Sequence, residues 1–167
     1  MDDEERFRQF VRDQWAPLLR TAYLLTGDRG TAEDLVQSAL EKTHRRWARI
    51  DTPLIYVRRV MVNTATSWWR RRRAIEVPLV ASDAVAGSDA YLQVEQRQQL
   101  LAALRRLPPR TQAILVLRYF EDLSEADTAR VLGCSVGSVK SQASRGLARL
   151  RLDFAHEAPA QLQEDPC

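Results

Sequence analysis

The residues whose types and spacing could do the most definite chemistry lie between Leu123 and Leu152, in LSEADTARVLGCSVGSVKSQASRGLARLRL. From Val136 onward, Lys140, Arg145 and Arg149 offer positive charge, and Ser138, Ser141 and Gln142 offer small or flexible hydrogen-bonding groups. Such groups can grip phosphates and reach base edges in duplex DNA. Val136, Val139, Ala143, Leu147 and Leu150 recur at spacings of three and four, so they form one apolar stripe of a helix. A helix that packs on one side and offers Gly137, Ser138, Ser141 and Arg145 on the other suits a major groove. The same pattern also fits a surface helix of a bundle, whose charged face is simply solvated. The elements that must position it are legible too. Ser124 and Asp127 make a capping-box pattern, Gly133 ends the first helix, and Ser135 caps the second. The Ala129, Gly133, Val139 spacing predicts close packing of the two helices.

Composition bounds the rest. A chain of 167 residues holds one domain or two small ones. No apolar run is long enough to span a bilayer, and the start, MDDEERFRQF, is acidic and then amphipathic, the opposite of a signal peptide. Cys134 and Cys167 have no metal-ligand spacing and make no disulfide framework, which points to a reducing, cytoplasmic setting. The net charge of +3 is modest. Its distribution says more: Arg70 to Arg73 form an unbroken basic run, whereas the residues from Asp153 onward are mostly acidic or neutral. A basic run is either a nucleic-acid footprint or a solvated helix end, so context has to choose.

Helical periodicity dominates and no alternating strand pattern competes with it, so the expected fold is all-α, two small helical domains joined by a linker. The first helix is expected from about Glu4 to Leu25, with Phe7, Phe10, Val11, Trp15, Leu18, Ala22 and Leu25 on one side. Pro17 should kink or restart it. Gly27, Asp28 and Gly30 read as a turn, and Thr31 with Asp34 as the capping box of a second helix. That helix buries Leu35, Val36, Ala39, Leu40, Thr43 and Trp47, and exposes Glu33, Asp34, Gln37, Ser38 and Glu41. Thr52 caps a third helix that opens on Pro53 and runs to about Arg73. Leu54, Val57, Met61, Ala65 and Trp68 form its inner stripe; Tyr56, Arg59, Asn63, Ser67 and Arg70 lie opposite. Residues 74–90 read as a linker with apolar docking points at Ile75, Val77, Leu79 and Val80. Then come a helix from about Tyr91 to Leu107, the Pro108-Pro109 break, and an apolar helix from Arg110 to Phe120. The expected division is 1–73, a linker over 74–90, 91–155, and a frayed tail over 156–167.

Three blocks in order, AEDLVQSALEKTHRRW, YVRRVMVNTATSWWRRRR and LPPRTQAILVLRYFEDLSEADTARVLGCSVGSVKSQASRGLARLR, resemble the bacterial sigma factors. The size and layout are similar to the extracytoplasmic-function group, which keeps only regions 2 and 4, and the wording looks most like its actinobacterial SigE-like subgroup. The resemblance runs from about Phe7 to Leu152. It implies region 2 over 1–73 and region 4 over 91–155, with core RNA polymerase and promoter DNA as partners. An anti-sigma protein wedged between the domains is a further partner the resemblance allows. It calls for no cofactor, no metal, no active site and no membrane insertion.

The resemblance also implies roles for particular residues. The AEDLVQ helix would dock on polymerase clamp helices through Asp34, Gln37, Ser38 and Glu41, with Asp34 capping its helix as well. Around the third helix, Arg58, Arg59, Arg70, Arg71, Arg72 and Arg73 would neutralise phosphates near the −10 element. Asn63 carries both donor and acceptor for an exposed base edge. Trp69 would stack on an unpaired base or cover adjoining apolar surface, while Trp68 belongs to the core. The loop from Ala48 to Thr52 would capture an extruded base. At the −35 element the contacts would be Ser138, Lys140, Ser141, Gln142, Arg145 and Arg149. Arg110 and Arg118 would add phosphate contacts, unless Arg118 pairs with an acidic neighbour. Two positions depart from the family pattern: VKSR reads VKSQ at Gln142, and Gly146 replaces a common alanine, at about 1 kcal/mol of helix propensity.

Two other readings compete. A dimeric helix-turn-helix regulator of an operator would explain Leu123 to Leu152, but it leaves the AEDLVQ helix and the Trp-Arg block without a task. An enzyme has little to stand on, because His44 and His156 come with no nucleophile–base or metal-ligand constellation. His44 reads as a surface or partly buried residue. Cys134 reads as a small buried hydrophobe, with a thiol switch as the alternative.

Overall fold

Asp2 starts the first helix. Its carboxylate accepts the Glu5 amide at 2.7 Å, while the Asp2 amide donates back to the Glu5 carboxylate at 3.4 Å. The computed structural model describes residues 1–74 and 88–157, and the expected docking of Ile75, Val77, Leu79 and Val80 lies outside them. Helix α1 spans Asp3–Thr26, α2 Arg29–His44, α3 Pro53–Ala74, α4 Ser88–Arg106, α5 Pro109–Leu115, α6 Glu125–Leu132 and α7 Val136–Glu157. A short 3-10 turn, Trp47–Arg49, precedes α3, and a π turn, Val116–Phe120, continues α5. No strand occurs among the described residues.

Several boundaries differ from the sequence reading for local reasons. Helix α1 runs uninterrupted through Pro17, so the proline does not restart it. Gly27 ends α1 in the left-handed region at φ 75°, where glycine carries no Cβ penalty. Asp28, rather than Thr31, caps α2: its carboxylate accepts the Thr31 amide at 2.8 Å and the Thr31 hydroxyl at 2.7 Å. Gly30 and Thr31 therefore lie inside the helix, and Asp34 has no capping role. The Arg110 to Phe120 helix widens at Val116, where the Glu121 amide reaches back five residues to the Val116 carbonyl at 3.1 Å. Val116 and Leu117 stay buried, while Tyr119 and Phe120 turn outward.

Two apolar clusters hold the helices. The first gathers Leu18, Ala22, Leu35, Val36, Ala39, Val57 and Met61 from α1–α3 together with Ala113, Val116, Leu117, Leu123 and Val131 from the second half of the chain. The second joins Leu104, Leu107, Ile114 and Leu115 to Ala129, Val139 and Ala143, and Leu24 and Leu132 pack on both clusters. Each fully buried leucine here contributes about 1.5–3 kcal/mol. The two helical groups therefore share a dry layer.

Within the second cluster Gly146 is buried, and a Cβ on it would lie 2.7 Å from Thr111 Cγ2 and 3.0 Å from Leu115 Cδ1. The glycine thus lets α7 lie against α5. Gly133 has a different job: its φ of 64° demands glycine, but nothing lies within 4 Å of where a Cβ would be. The expected close packing at the helix-turn-helix therefore comes from Ala129 against Val139 and Ala143, not from Gly133. Val136, placed on the inner stripe from sequence, is 40% exposed because it opens α7 beyond the packed turn.

Two changes test these assignments. Gly146→Ala should lower the melting temperature, since overpacking of about 1–3 kcal/mol outweighs the roughly 1 kcal/mol of helix propensity gained. Adding Thr111→Ser, which removes the obstructing methyl, should recover most of the loss; a single variant as stable as the wild type would refute the packing role. Asp28→Ala should cost about 1 kcal/mol at neutral pH. Hydrogen bonds from the Thr31 amide and then its hydroxyl hold the Asp28 carboxyl below its ordinary pKa. Its stabilisation is therefore complete above the usual carboxylate range and disappears as the pH falls through the lowered value. The gap between wild type and variant, followed by denaturant melts, should narrow in acid; a gap that is constant or widens would count against the cap.

Candidate polymerase and DNA interfaces

The Asp28 cap and the buried Leu35, Val36, Ala39 and Leu40 set the rotation of α2. That rotation brings Asp34, Gln37, Ser38 and Glu41 onto one strip at the i, i+3, i+4, i+7 spacing. Asp34, Gln37 and Glu41 are exposed and Ser38 is half-buried. The strip offers two carboxylates and two neutral polar groups over a firmly packed inner face, which suits a basic or polar partner helix.

On α3 the expected nucleic-acid residues separate into two sets. Asn63, Arg70, Arg71 and Arg72 are exposed, Trp69 is half-buried, and Trp68 packs on the first apolar cluster as expected. The Arg73 side chain lies outside the described residues. Arg58 and Arg59 face the second half of the chain instead. The half-buried Arg58 guanidinium pairs with the Glu121 carboxylate, and Arg59 donates to the Val131 carbonyl at 3.2 Å and to the Arg130 carbonyl. Sequence periodicity could not show this, because the partners are more than sixty residues away.

In the helix-turn-helix, the Ser124 hydroxyl accepts the Asp127 amide at 3.0 Å and the Ser135 hydroxyl accepts the Ser138 amide at 3.1 Å. Both expected caps are therefore present. Val139 and Ala143 are buried, which turns Lys140, Ser141, Arg145 and Arg149 to solvent; Ser138 and Gln142 are half-buried at the flank. Lys140 lies 3.7 Å from Glu125 and Arg149 lies 4.0 Å from Asp153. Pairs this exposed on the basic side contribute at most about 1 kcal/mol, so phosphates can replace them. Arg110 and Arg118 are tied up in the fold. Arg110 donates to the Leu132 carbonyl at 3.3 Å, and Arg118 bonds the Leu123 carbonyl and lies 4.0 Å from Glu125. Arg118 thus takes the acidic-neighbour alternative.

Between the α2–α3 loop and the helix-turn-helix lies a cleft of about 990 Å³. Arg46, Arg49, Asp51, Thr52, Tyr56 and Arg59 form one wall, and Ala126, Arg130, Gly133, Cys134 and Val136 the other. Cys134 is half-buried there rather than enclosed in the core. Tyr56 was placed on this outer side of α3 from sequence and Arg49 falls within the Ala48 to Thr52 loop, whereas Arg46 was not singled out, although its place among arginines beside that loop was the available signal. His44 is exposed and sits 3.0 Å from the Glu4 carboxylate, whose pKa that hydrogen bond lowers.

Comparison with known proteins identifies the family of both halves of the chain. A sigma-70 region 2 model matches residues 10–75, and a sigma-70 region 4 model matches 97–150. The RNA polymerase sigma-E factor of Streptomyces coelicolor is 41% identical over 154 residues, spanning 90% of this chain and 87% of that protein. The ECF RNA polymerase sigma factor SigM of Mycobacterium tuberculosis is 34% identical over 152 residues, spanning 89% and 76%. Among solved structures, the sigma factor RpoE from Bartonella quintana, in complex with the anti-sigma factor NepR, shares the fold with a TM-score of 0.73 at 23% identity, covering 92% of this chain and 99% of that one.

Proposed function

This chain belongs to the extracytoplasmic-function sigma factors of the sigma-70 family and directs promoter-specific transcription initiation, and we propose that it divides the work between residues 1–73 and 91–155. The strip of Asp34, Gln37, Ser38 and Glu41 on α2 docks on core RNA polymerase. Asn63, Trp69 and Arg70 to Arg73, with Arg58 and Arg59, engage the −10 region. Ser138, Lys140, Ser141, Gln142, Arg145 and Arg149 on α7 engage the −35 region in duplex form. Nucleotide transfer belongs to the polymerase, so the factor supplies positioning and charge and no catalytic group. Its place of action is the cytoplasm, where polymerase and promoter are.

The observation that carries this reading is the orientation of α7. Burial of Val139 and Ala143 leaves Ser141 and Arg145 facing outward together, with Lys140 and Arg149 exposed on the two flanks. An α-helix presented in this way fits the major groove, where a well-placed Arg or Lys contact to a base edge supplies about 1–3 kcal/mol of discrimination. The dimeric-regulator alternative has nothing comparable in its favour, since the region 2 match includes the AEDLVQ helix and the Trp-Arg block. The Bartonella relative is held by an anti-sigma factor. In this chain the arginine-lined cleft is a place where charge would favour an acidic segment of such a partner.

Purified protein with core polymerase should initiate from a cognate promoter in run-off transcription, while the protein alone should bind that DNA weakly. Tight promoter-specific binding without core, and no transcript with it, would sink the reading. Arg145→Ala should cut transcription about tenfold or more without weakening core binding. Asp34→Lys should do the reverse, weakening core binding while leaving α7 intact; equal effects of both variants on core binding would overturn the division of labour.

A further inference from the structure

The cations of α7 are not equally available. Arg145, on the outward face, forms no ion pair among the described residues. Lys140 and Arg149 stand on opposite flanks of that face, and each meets a carboxylate. Lys140 Nζ lies 3.7 Å from Glu125 Oε2, and Arg149 Nε lies 4.0 Å from Asp153 Oδ1. Each carboxylate is shared with an arginine of another element. Glu125 Oε1 lies 4.0 Å from Arg118, which is itself held by the Leu123 carbonyl and stands 5.7 Å from the centre of the Tyr119 ring. Asp153 Oδ2 lies 3.8 Å from Arg106 at the end of α4. The side chains of Glu125 and Asp153 are 34% and 16% exposed, against 66% and 63% for Lys140 and Arg149. One oxygen of each carboxylate, Glu125 Oε2 and Asp153 Oδ2, is buried and accepts no hydrogen bond from the described residues. In each pair the cation is the free-standing partner and the carboxylate the seated one.

We infer that Glu125 and Asp153 are specificity-determining residues of the −35 contact, which withhold Lys140 and Arg149 from the phosphates of unmatched DNA. The inference rests on the sigma-factor reading, because that reading assigns both cations to the −35 region. Phosphate contacts give affinity without sequence choice, so a factor gains selectivity by damping them. A phosphate that takes Lys140 leaves Glu125 seated beside it, with only Arg118 to compensate. The buried oxygen and the second arginine keep the carboxylate in place, and the like charges repel. Asp153, braced by Arg106, acts in the same way when Arg149 is drawn to a phosphate. Each exchange is then close to neutral, because the exposed pairs contribute little themselves and the stranded carboxylate opposes what replaces them. Arg145 carries no such restraint. Random duplex therefore gains little from the flanking cations, whereas a matched element, already held through Arg145, keeps its phosphates beside them and recruits both. All the groups involved lie within residues 91–155, so the restraint is built into that half of the chain.

Binding of the full chain to a random duplex and to its promoter duplex, followed over a range of salt, tests the two carboxylates. Glu125→Gln and, separately, Asp153→Asn remove the charge without touching a residue assigned to polymerase or DNA. On random duplex each variant should bind about threefold or more tighter at low salt, with a log–log salt slope steeper by about 0.9, the signature of one added phosphate contact. The promoter duplex should gain less, so the preference for promoter over random DNA should fall while circular dichroism shows unchanged helix content. Lys140→Ala should abolish the effect of Glu125→Gln, and Arg149→Ala that of Asp153→Asn. A wild-type slope in either variant, or an unchanged promoter preference, overturns the inference. So does a gain that persists in the Lys140→Ala or Arg149→Ala background, since a general change in net charge would then suffice. If Asp153→Asn fails to fold, Glu125→Gln with and without Lys140→Ala decides. Absence of any promoter-directed transcript from the wild type with core polymerase would overturn the sigma-factor reading instead, and the slopes on random duplex would still judge the carboxylates.

Discussion

The last carbonyls of a helix must find donors, and where those donors come from organises this molecule. Helix α1 ends at Gly27 with no cation of its own, and the carbonyls of Leu24, Leu25 and Thr26 are satisfied by Gln112 and Arg105. Gln112 is 2% exposed, and a buried amide without partners would be strongly unfavourable. The side chain can be accommodated only while α1 lies against α5. Docking of α1 on α5 in turn completes the apolar layer around Val116 and Leu117 and aligns Arg58 with Glu121. The cleft between the α2–α3 loop and the helix-turn-helix follows from the same docking.

The interfaces assigned to polymerase and DNA obey a common rule. In each, a short polar cap sets the start of a helix and a buried stripe sets its rotation, so that the functional residues are placed by what lies on the opposite face. Asp28 and the Leu35–Val36 side do this for the strip of Asp34, Gln37, Ser38 and Glu41. Ser135 and Val139 do it for Lys140, Ser141, Arg145 and Arg149. The side chains proposed to make contact are mostly exposed, and precision resides in the packing beneath them. Gly146 illustrates the dependence: its missing Cβ lets α7 seat on Thr111 and Leu115, which fixes how far the basic face stands out.

Most of the fold was legible because caps and apolar periodicity are local signals. Ser124, Gly133 and Ser135 act as their residue types predict, and Val57, Met61 and Ala65 are buried as their spacing requires. Errors arose where two local solutions compete. Asp28 and Thr31 can both cap a helix, and the longer reach of the carboxylate to the Thr31 amide and hydroxyl decides for Asp28. Nothing in the run from Arg110 to Phe120 announces that it widens into a π turn at Val116, because that turn is stabilised by how Val116 and Leu117 pack against α1–α3.

The helix-turn-helix with which the sequence is most explicit was determined by the chain itself: its caps, its apolar stripe and its outward basic residues are all set within about thirty positions. What only the tertiary structure decided is the state of the arginines. Arg58, Arg59 and Arg110 are indistinguishable by residue type from Arg70 or Arg145, yet the first three are bound to carbonyls or carboxylates of other helical elements. A guanidinium has the same charge and donors wherever it stands. Whether it meets a phosphate or a helix end depends on which acceptors packing brings within reach, and that is a property of the folded chain alone.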